Sequence, residues 1–200
     1  MKKNSMWSLK LSTASLVLIP AAVGINYIGK LFAGVLKLPL WLDSIGTVLA
    51  SMLAGPIAGA ICGAVNNIIY GLTMDPISFI YALTSIAIGI AVGIMAYKGW
   101  IKNIGGAIVV GLVAAAVSTI VSTPINIAFW GGQTGNIWGD AVYASMIANH
   151  FPVWMSSLVD EFVVDVPDKI ATVLVAFGIF KGLPKKLTVL YSNDNDIEAL

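Results

Sequence analysis

Long apolar runs broken by short polar or Pro/Gly-containing segments dominate the chain from residue 11 to residue 180. A membrane-crossing helix needs about 20 predominantly apolar residues. The first run extends from about Leu11 to Val35. Its beginning, Leu9 to Gly24, has the look of a secretory signal, but the apolar pattern continues through Tyr27 to Val35, past any cleavage point. A retained helix is therefore expected. Leu36 to Leu42 is a short connection with Lys37 and Pro39 as breakers. From Leu40 to Thr73 the chain is again almost continuously apolar, and as one helix it would be ~50 Å long against a hydrocarbon core of ~30 Å. Gly55-Pro56 divides it into two shorter spans, Leu42 to Ala54 and Pro56 to Leu72, the first too short to cross alone unless its ends are buried in protein. Fusion of the pair into one kinked span is the alternative. After a turn at Thr73 to Pro76 come Ile77 to Tyr97, the polar loop Lys98 to Asn103, and Gly105 to Ile127. Phe129 to Val159 is weakly apolar and reads as a long outer loop. Val166 to Phe180 reads as the last span, with Asp165 as N-cap and Pro167 near its start, where a missing N–H is harmless.

Within these runs small residues recur at spacings of four: Gly29 and Ala33; Gly55, Gly59 and Gly63; Gly89 and Gly93; Ala107, Gly111 and Ala115. Such stripes let helix backbones approach closely in lipid. The Gly55–Gly63 face continues to Asn66, Asn67 and Tyr70. An amide buried in hydrocarbon needs a partner, because leaving it unpaired costs about 1–3 kcal/mol. One face thus packs closely at one end and offers polar atoms at the other.

Composition fixes the class. The 200 residues are 58% hydrophobic and only 10% charged, with a mean hydropathy of +0.90, far from a soluble surface. The expected fold is an all-α integral membrane protein, a six-transmembrane-helix bundle over residues 1–188, followed by a polar tail, residues 189–200. Six spans put both termini on one side. With that side cytoplasmic, Lys2, Lys3, Lys10, Lys98, Lys102, Lys181, Lys185 and Lys186 are inside, and only Lys30, Lys37 and Lys169 are outside. Asp43, Asp75, Asp140, Asp160, Glu161, Asp165 and Asp168 then all lie on the outer side. The net charge of +1 gives no reason to expect a nucleic-acid partner, and all eleven basic residues are lysines, so no arginine fork is available for phosphate. A single Cys (Cys62) and a single His (His150) supply neither a disulfide framework nor a metal-ligand spacing nor a conventional catalytic triad. No catalytic residues and no metal site are expected, and the chain does not read as an enzyme.

The candidate chemistry converges on the outer side. Asn66 and Asn67 lie ~15 Å along the third span, Tyr70 is above them, and Asp43 is at the outer start of the second span. Trp41, Trp130, Gln133 and Trp138 fall in the adjoining outer segments and His150 in the long outer loop; Asp165 and Asp168 are the acids expected to face inward. Together these suit a ligand pocket in which amides and carboxylates fix orientation and an aromatic side chain provides a stacking wall. Polar glue between helices and an interfacial tryptophan belt would use the same residue types. The group Asp160, Glu161, Asp165 and Asp168 also fits a solvated helix N-terminus, where the dipole favours acids, and Asp165–Lys169 is an oppositely charged i, i+4 pair.

The stretch LPLWLDSIGTVLASMLAGPIAGAICGAVNNIIYGLT resembles the substrate-binding S components of energy-coupling factor (ECF) vitamin transporters, in which an apolar helix leads into G-P-x-x-G-x-x-x-G and a polar pair. The ending DVPDKIATVLVAFGIFKGLPKK, Asp165 to Lys186, is similar to the last helix of that group. The resemblance implies a multi-pass protein of a prokaryotic cell membrane that binds a small water-soluble vitamin or precursor at its outer face. It also implies docking on a transmembrane coupling subunit with two ATPase subunits, which spend the ATP; the chain itself carries no Walker-type phosphate loop and needs no cofactor. In that family the small residues of the first span commonly face the coupling subunit, which makes Ala21, Ala22, Gly24, Gly29 and Ala33 the docking candidates. Acids and amides without arginine favour a neutral or cationic ring compound: pyridoxine or pyridoxamine, hydroxymethylpyrimidine, a thiamine-like compound or a nucleoside. The alternatives are a stand-alone secondary transporter, which would carry an acid in mid-span and internal repeats, an intramembrane enzyme, for which one His and one Cys give little to work with, and a membrane sensor or assembly factor.

Overall fold

The computed structural model describes residues 13–191; the lysines at 2, 3 and 10 and most of the polar tail lie outside the described residues. Among the described residues the fold is all helical: α1 (Thr13–Val35), α2 (Ile45–Thr73), α3 (Ser78–Tyr97), α4 (Ile104–Trp130), α5 (Ile137–Ala148), α6 (Val153–Gly182) and the short α7 (Lys185–Val189). Four of these helices are long and apolar enough to cross a membrane, within Ser15–Val35, Ile45–Thr73, Ser78–Tyr97 and Ile104–Trp130. The arrangement is compatible with a multi-pass membrane protein. Large apolar side chains point outward along α1 (Val17, Ile28, Phe32, Val35) and α4 (Val109, Leu112, Ile120), as they do where lipid is the solvent.

The expected division of the Leu40–Thr73 stretch is present. Gly55 has φ 86° and ψ −177°, a conformation essentially confined to glycine, and Pro56 follows where its missing N–H is harmless. The two arms, 45–54 and 56–73, fold back on each other: Thr47 Oγ1 donates to Cys62 Sγ at 3.9 Å across fifteen positions, which a straight helix would separate by ~22 Å. The returning arm then lies along α3. Gly59 meets Gly89, Gly63 meets Ser85 and Pro56 meets Gly93, and a Cβ at Gly89 would stand 2.7 Å from the Ala60 nitrogen. Ser51 Oγ donates to the Gly89 carbonyl at 2.9 Å across the same seam.

The other close approaches follow the same logic. Gly111 of α4 rests on the Ile170 backbone of α6, with Ala107 and Ala115 buried on the same face. Gly46 sits against the Ala22 backbone of α1. There Asn26 of α1 caps the start of α2 from outside: its Oδ1 accepts from Gly46 N at 2.6 Å and Thr47 N at 3.2 Å, while its Nδ2 donates to Thr47 Oγ1 at 2.9 Å. The local cap residue Ser44 makes no such bond, so a buried side chain of α1 satisfies the orphan amides that every helix start leaves.

Two expectations are corrected. The 129–159 region is not a long loop: α4 runs to Trp130 and stops at Gly131, whose φ of 65° suits a helix C-terminus, and Asn136 caps α5 by accepting from Trp138 N at 3.1 Å. The last long helix begins at Val153, not Val166, with Pro152 in an extended conformation before it. Asp165 is consequently not an N-cap and Pro167 is internal. An acid cluster and a proline both favour a helix start locally. Here burial of one face of a 30-residue helix overrides them, and proline's cost is one backbone bond, to the carbonyl of the exposed Val163.

Candidate functional site

A cavity of about 490 Å³ opens at the end of the bundle that carries the 36–44 segment, the 74–77 turn and the 131–136 turn. Four helices furnish its walls, each through one stripe at helical spacing: Asn67 and Tyr70 from α2, with Met74 just beyond its end; Ser78, Tyr81, Ser85 and Ile88 from α3; Ser118, Ser122, Asn126 and Trp130 from α4; Glu161, Asp165 and Lys169 from α6. Ile88 lies ~15 Å along α3 from its start, so the cavity is deep. Trp41, Asp43, Asp75, Thr134 and Gly135 contribute from the connecting segments, and Lys30 from α1.

The walls are tied together by polar side chains. Tyr81 Oη donates to Asn126 Oδ1 at 2.5 Å, and Asn126 Nδ2 donates to Glu161 Oε2 at 2.7 Å, which joins α3, α4 and α6 in one line. Thr84 and Ser122 hydroxyls are 3.0 Å apart, and Thr119 Oγ1 donates to Asp165 Oδ2 at 3.1 Å. Asn67 Nδ2 donates to the Gly63 carbonyl at 3.0 Å and Ser85 Oγ at 2.7 Å. Lys169 is buried among three carboxylates, 2.5 Å from Asp168 Oδ2, 3.7 Å from Asp43 Oδ1 and 3.7 Å from Asp165 Oδ1. Desolvation opposes the charge on Asp43, but Lys169 and Lys30 outweigh it and hold its carboxyl below the usual carboxylate range. Near the mouth, Lys30 Nζ stands 3.9 Å from the centre of the Tyr70 ring, a cation–π distance, and the Tyr27 ring packs against the same ring, with centroids 5.2 Å apart and planes tilted by 52°.

Of the residues singled out by sequence, Trp41, Asp43, Asn67, Tyr70, Trp130 and Asp165 line this cavity. Asn66, Gln133, Trp138, His150 and Asp168 do not. Asn66 is buried, its Oδ1 without a hydrogen-bond donor. Gln133 is exposed, Trp138 donates to the Lys37 carbonyl at 3.4 Å on the surface, and His150, with φ 63°, ends the turn after α5. Asp168 sits behind the wall, where its Oδ1 accepts from Trp41 N at 2.9 Å and Leu42 N at 2.8 Å and so positions the 36–44 segment. The acids of α6 are not a solvated cap: Asp160, Glu161, Asp165 and Asp168 are each at most 5% exposed. Asp160, with Asp140, instead holds the Thr134 turn, accepting from Thr134 Oγ1 at 2.9 Å.

The sequence reading missed Lys30, Tyr81, Ser118, Ser122, Asn126, Glu161 and Lys169 as cavity residues. A signal was present for most of them. Ser118-xxx-Ser122-xxx-Asn126-xxx-Trp130 and Glu161-xxx-Asp165-xxx-Lys169 are polar stripes at four-residue spacing, the same pattern that flagged Asn67. Among the small residues of α1, Ala22 and Ala33 are buried and Gly29 meets the Leu42 backbone, all within this fold; Ala21 faces outward, and a Cβ at Gly24 would touch nothing.

No family model matches the chain, and neither a curated protein nor a solved structure matches it. What the fold and site show is a bundle of apolar helices with a cavity at one end lined by polar and aromatic side chains.

Proposed function

We propose that the chain is the membrane-embedded substrate-binding subunit of an ECF-type transporter, which captures a small water-soluble vitamin or precursor and delivers it by docking on an ATP-driven coupling module. The observation that carries this reading is the end-on cavity, whose volume of about 490 Å³ falls among small-molecule pockets of roughly 300–1,000 Å³. Its walls combine Trp41, Tyr70, Tyr81 and Trp130 with amides, hydroxyls and carboxylates, the equipment for orienting one polar ring compound. Candidate ligands are pyridoxine or pyridoxamine, hydroxymethylpyrimidine, thiamine-like compounds and nucleosides. Counting the two arms of α2 separately and including α6 gives six crossings, with both termini cytoplasmic and the cavity facing outward. The lysines support that orientation: Lys98, Lys102, Lys181, Lys185 and Lys186 lie away from the cavity end. The chain would be no enzyme and would use no cofactor of its own, the ATP being spent by the partner ATPases. Ala21 and Gly24 remain free on α1 to face a coupling subunit.

A stand-alone secondary transporter is the second reading, and one observation favours it: Glu161 and Asp165 are buried well inside α6, as acids on ion pathways are. Purification from the native membrane with an affinity tag distinguishes the two. A binding subunit brings down one transmembrane coupling protein and two ATPases, and uptake of its ligand stops when ATP is depleted. Isolation alone, with uptake that follows an ion gradient, overturns the ECF reading.

A further inference from the structure

The cavity holds more negative charge than the protein neutralises. Asp43, Asp75, Glu161 and Asp165 line it, and Asp168 stands directly behind; among the described residues, the lysines there are Lys30 and Lys169. Lys169 serves Asp43, Asp165 and Asp168 at once, so one ammonium faces three carboxylates. Glu161, 5% exposed, has no cation within ion-pair distance among the described residues and takes a single hydrogen bond, from Asn126. Asp165, 1% exposed, leaves Oδ1 without a hydrogen-bond donor, its nearest cation 3.7 Å away. The two acids are i, i+4 neighbours on one face of α6, an arrangement that repels unless a positive charge lies between or beside them. Buried carboxylates without full compensation are costly in the empty protein, and both of these border the open cavity.

We infer that the ligand is an organic cation, an ammonium or amidinium carried on a ring, whose charged group is bound by Glu161 and Asp165. This rests on the reading of the cavity as a small-molecule site and narrows it to one charge class. N–H donors on the cation supply what Asp165 Oδ1 and the second oxygen of Glu161 lack, and its charge offsets their repulsion. The ring then has Tyr81 and Trp130 within the same cavity; Tyr81 is placed beside Glu161 through Asn126. Aromatic faces attract cations as well as stack on rings. Anionic ligands meet uncompensated carboxylates and are rejected.

The test uses the full chain in lipid nanodiscs and compounds that differ only in charge: pyridoxamine, pyridoxine and 4-pyridoxic acid on one ring, benzamidine and benzamide on another. Affinities are measured by calorimetry or by thermal shift. The cationic member of each series is expected to bind roughly tenfold or more tighter than its neutral counterpart, since hydrogen bonds to charged groups contribute that much, and the acid is expected not to bind. Glu161→Gln keeps an acceptor for Asn126 and removes the charge, so it should bring the affinities of the cationic and neutral members of each series to within about threefold of one another. If neutral and cationic members bind alike, or the preference survives Glu161→Gln in a folded variant, the charge assignment is overturned and the small-molecule site stands. Binding by no member of either series removes the site reading itself. Should Glu161→Gln not fold, the comparison of ligands on the unaltered protein decides.

Discussion

Lys169 Nζ stands 3.7 Å from Asp165 Oδ1, one turn earlier on α6, and the same ammonium holds Asp168 at 2.5 Å. The i, i+4 spacing allows the first contact; burial of the lysine, 3% exposed, makes the group interdependent. Removing one partner of a buried ion pair leaves uncompensated charge and costs about 3–5 kcal/mol. Lys169→Met is therefore expected to lower the thermal unfolding temperature of the purified protein sharply. Adding Asp165→Asn should restore part of the loss, a coupling of about 0.5–3 kcal/mol in a double-mutant cycle. Additive effects of the two substitutions would show that the contact carries no energy.

The cavity wall separates tryptophans that sequence alone treats alike. Trp130 ends the α4 stripe and lines the cavity; Trp138 lies outside it, 54% exposed, on the surface of α5. For any ring compound that stabilises the protein, Trp130→Ala is expected to weaken binding about tenfold or more, and Trp138→Ala by less than about threefold, as measured by calorimetry. Equal losses at both positions would place the ligand elsewhere.

How far the sequence discloses this site depends on which physical signal each residue carries. The spans Ile77 to Tyr97 and Gly105 to Ile127 match α3 and α4 within a few residues, because uninterrupted apolar runs of that length have one solution in lipid. The hairpin at Gly55-Pro56 was legible from length and from two residues with restricted conformations. Asn67 and Tyr70 were legible because an amide in an apolar run stands out. A single serine does not stand out, since a helix can absorb its hydroxyl on its own carbonyls; Ser118 and Ser122 are legible only as members of the four-residue stripe that runs on to Asn126 and Trp130. Glu161 was hidden by a genuine local ambiguity: acids followed by proline favour a helix start, and only the packing of α6 against α4, with Gly111 on Ile170, makes those acids internal.

The glycine seam between α2 and α3 gives a prediction that needs no ligand. At Gly89 an added methyl would lie 2.7 Å from the Ala60 nitrogen and against the Gly59 backbone, which cannot rotate away. Gly178 is also helical, but a Cβ there would meet nothing. Gly89→Ala is expected to destabilise by about 1–3 kcal/mol through overpacking, whereas Gly178→Ala should be neutral or stabilising by up to ~1 kcal/mol through helix propensity. Unfolding in a graded denaturing detergent, followed by tryptophan fluorescence, compares them. The reverse order would mean that the returning arm of α2 does not lie along α3 as described.

Gln133 and Lys102 mark opposite ends of the bundle. Gln133 precedes Thr134 and Gly135, which line the cavity mouth, and Lys102 lies in the turn between α3 and α4, a full helix length away; both are exposed. Cys62 is the chain's only cysteine and is buried, so a Cys62→Ser background supplies a clean host for single cysteines. With the cavity facing outward, Gln133→Cys in intact cells is expected to react with a membrane-impermeant maleimide, and Lys102→Cys only after permeabilisation. Reaction of Lys102→Cys alone in intact cells would invert the orientation and turn the site into an inward-facing one. Reaction of both from outside would mean that α3 and α4 do not each cross the membrane, which would undo the six-crossing arrangement along with the side to which the cavity opens.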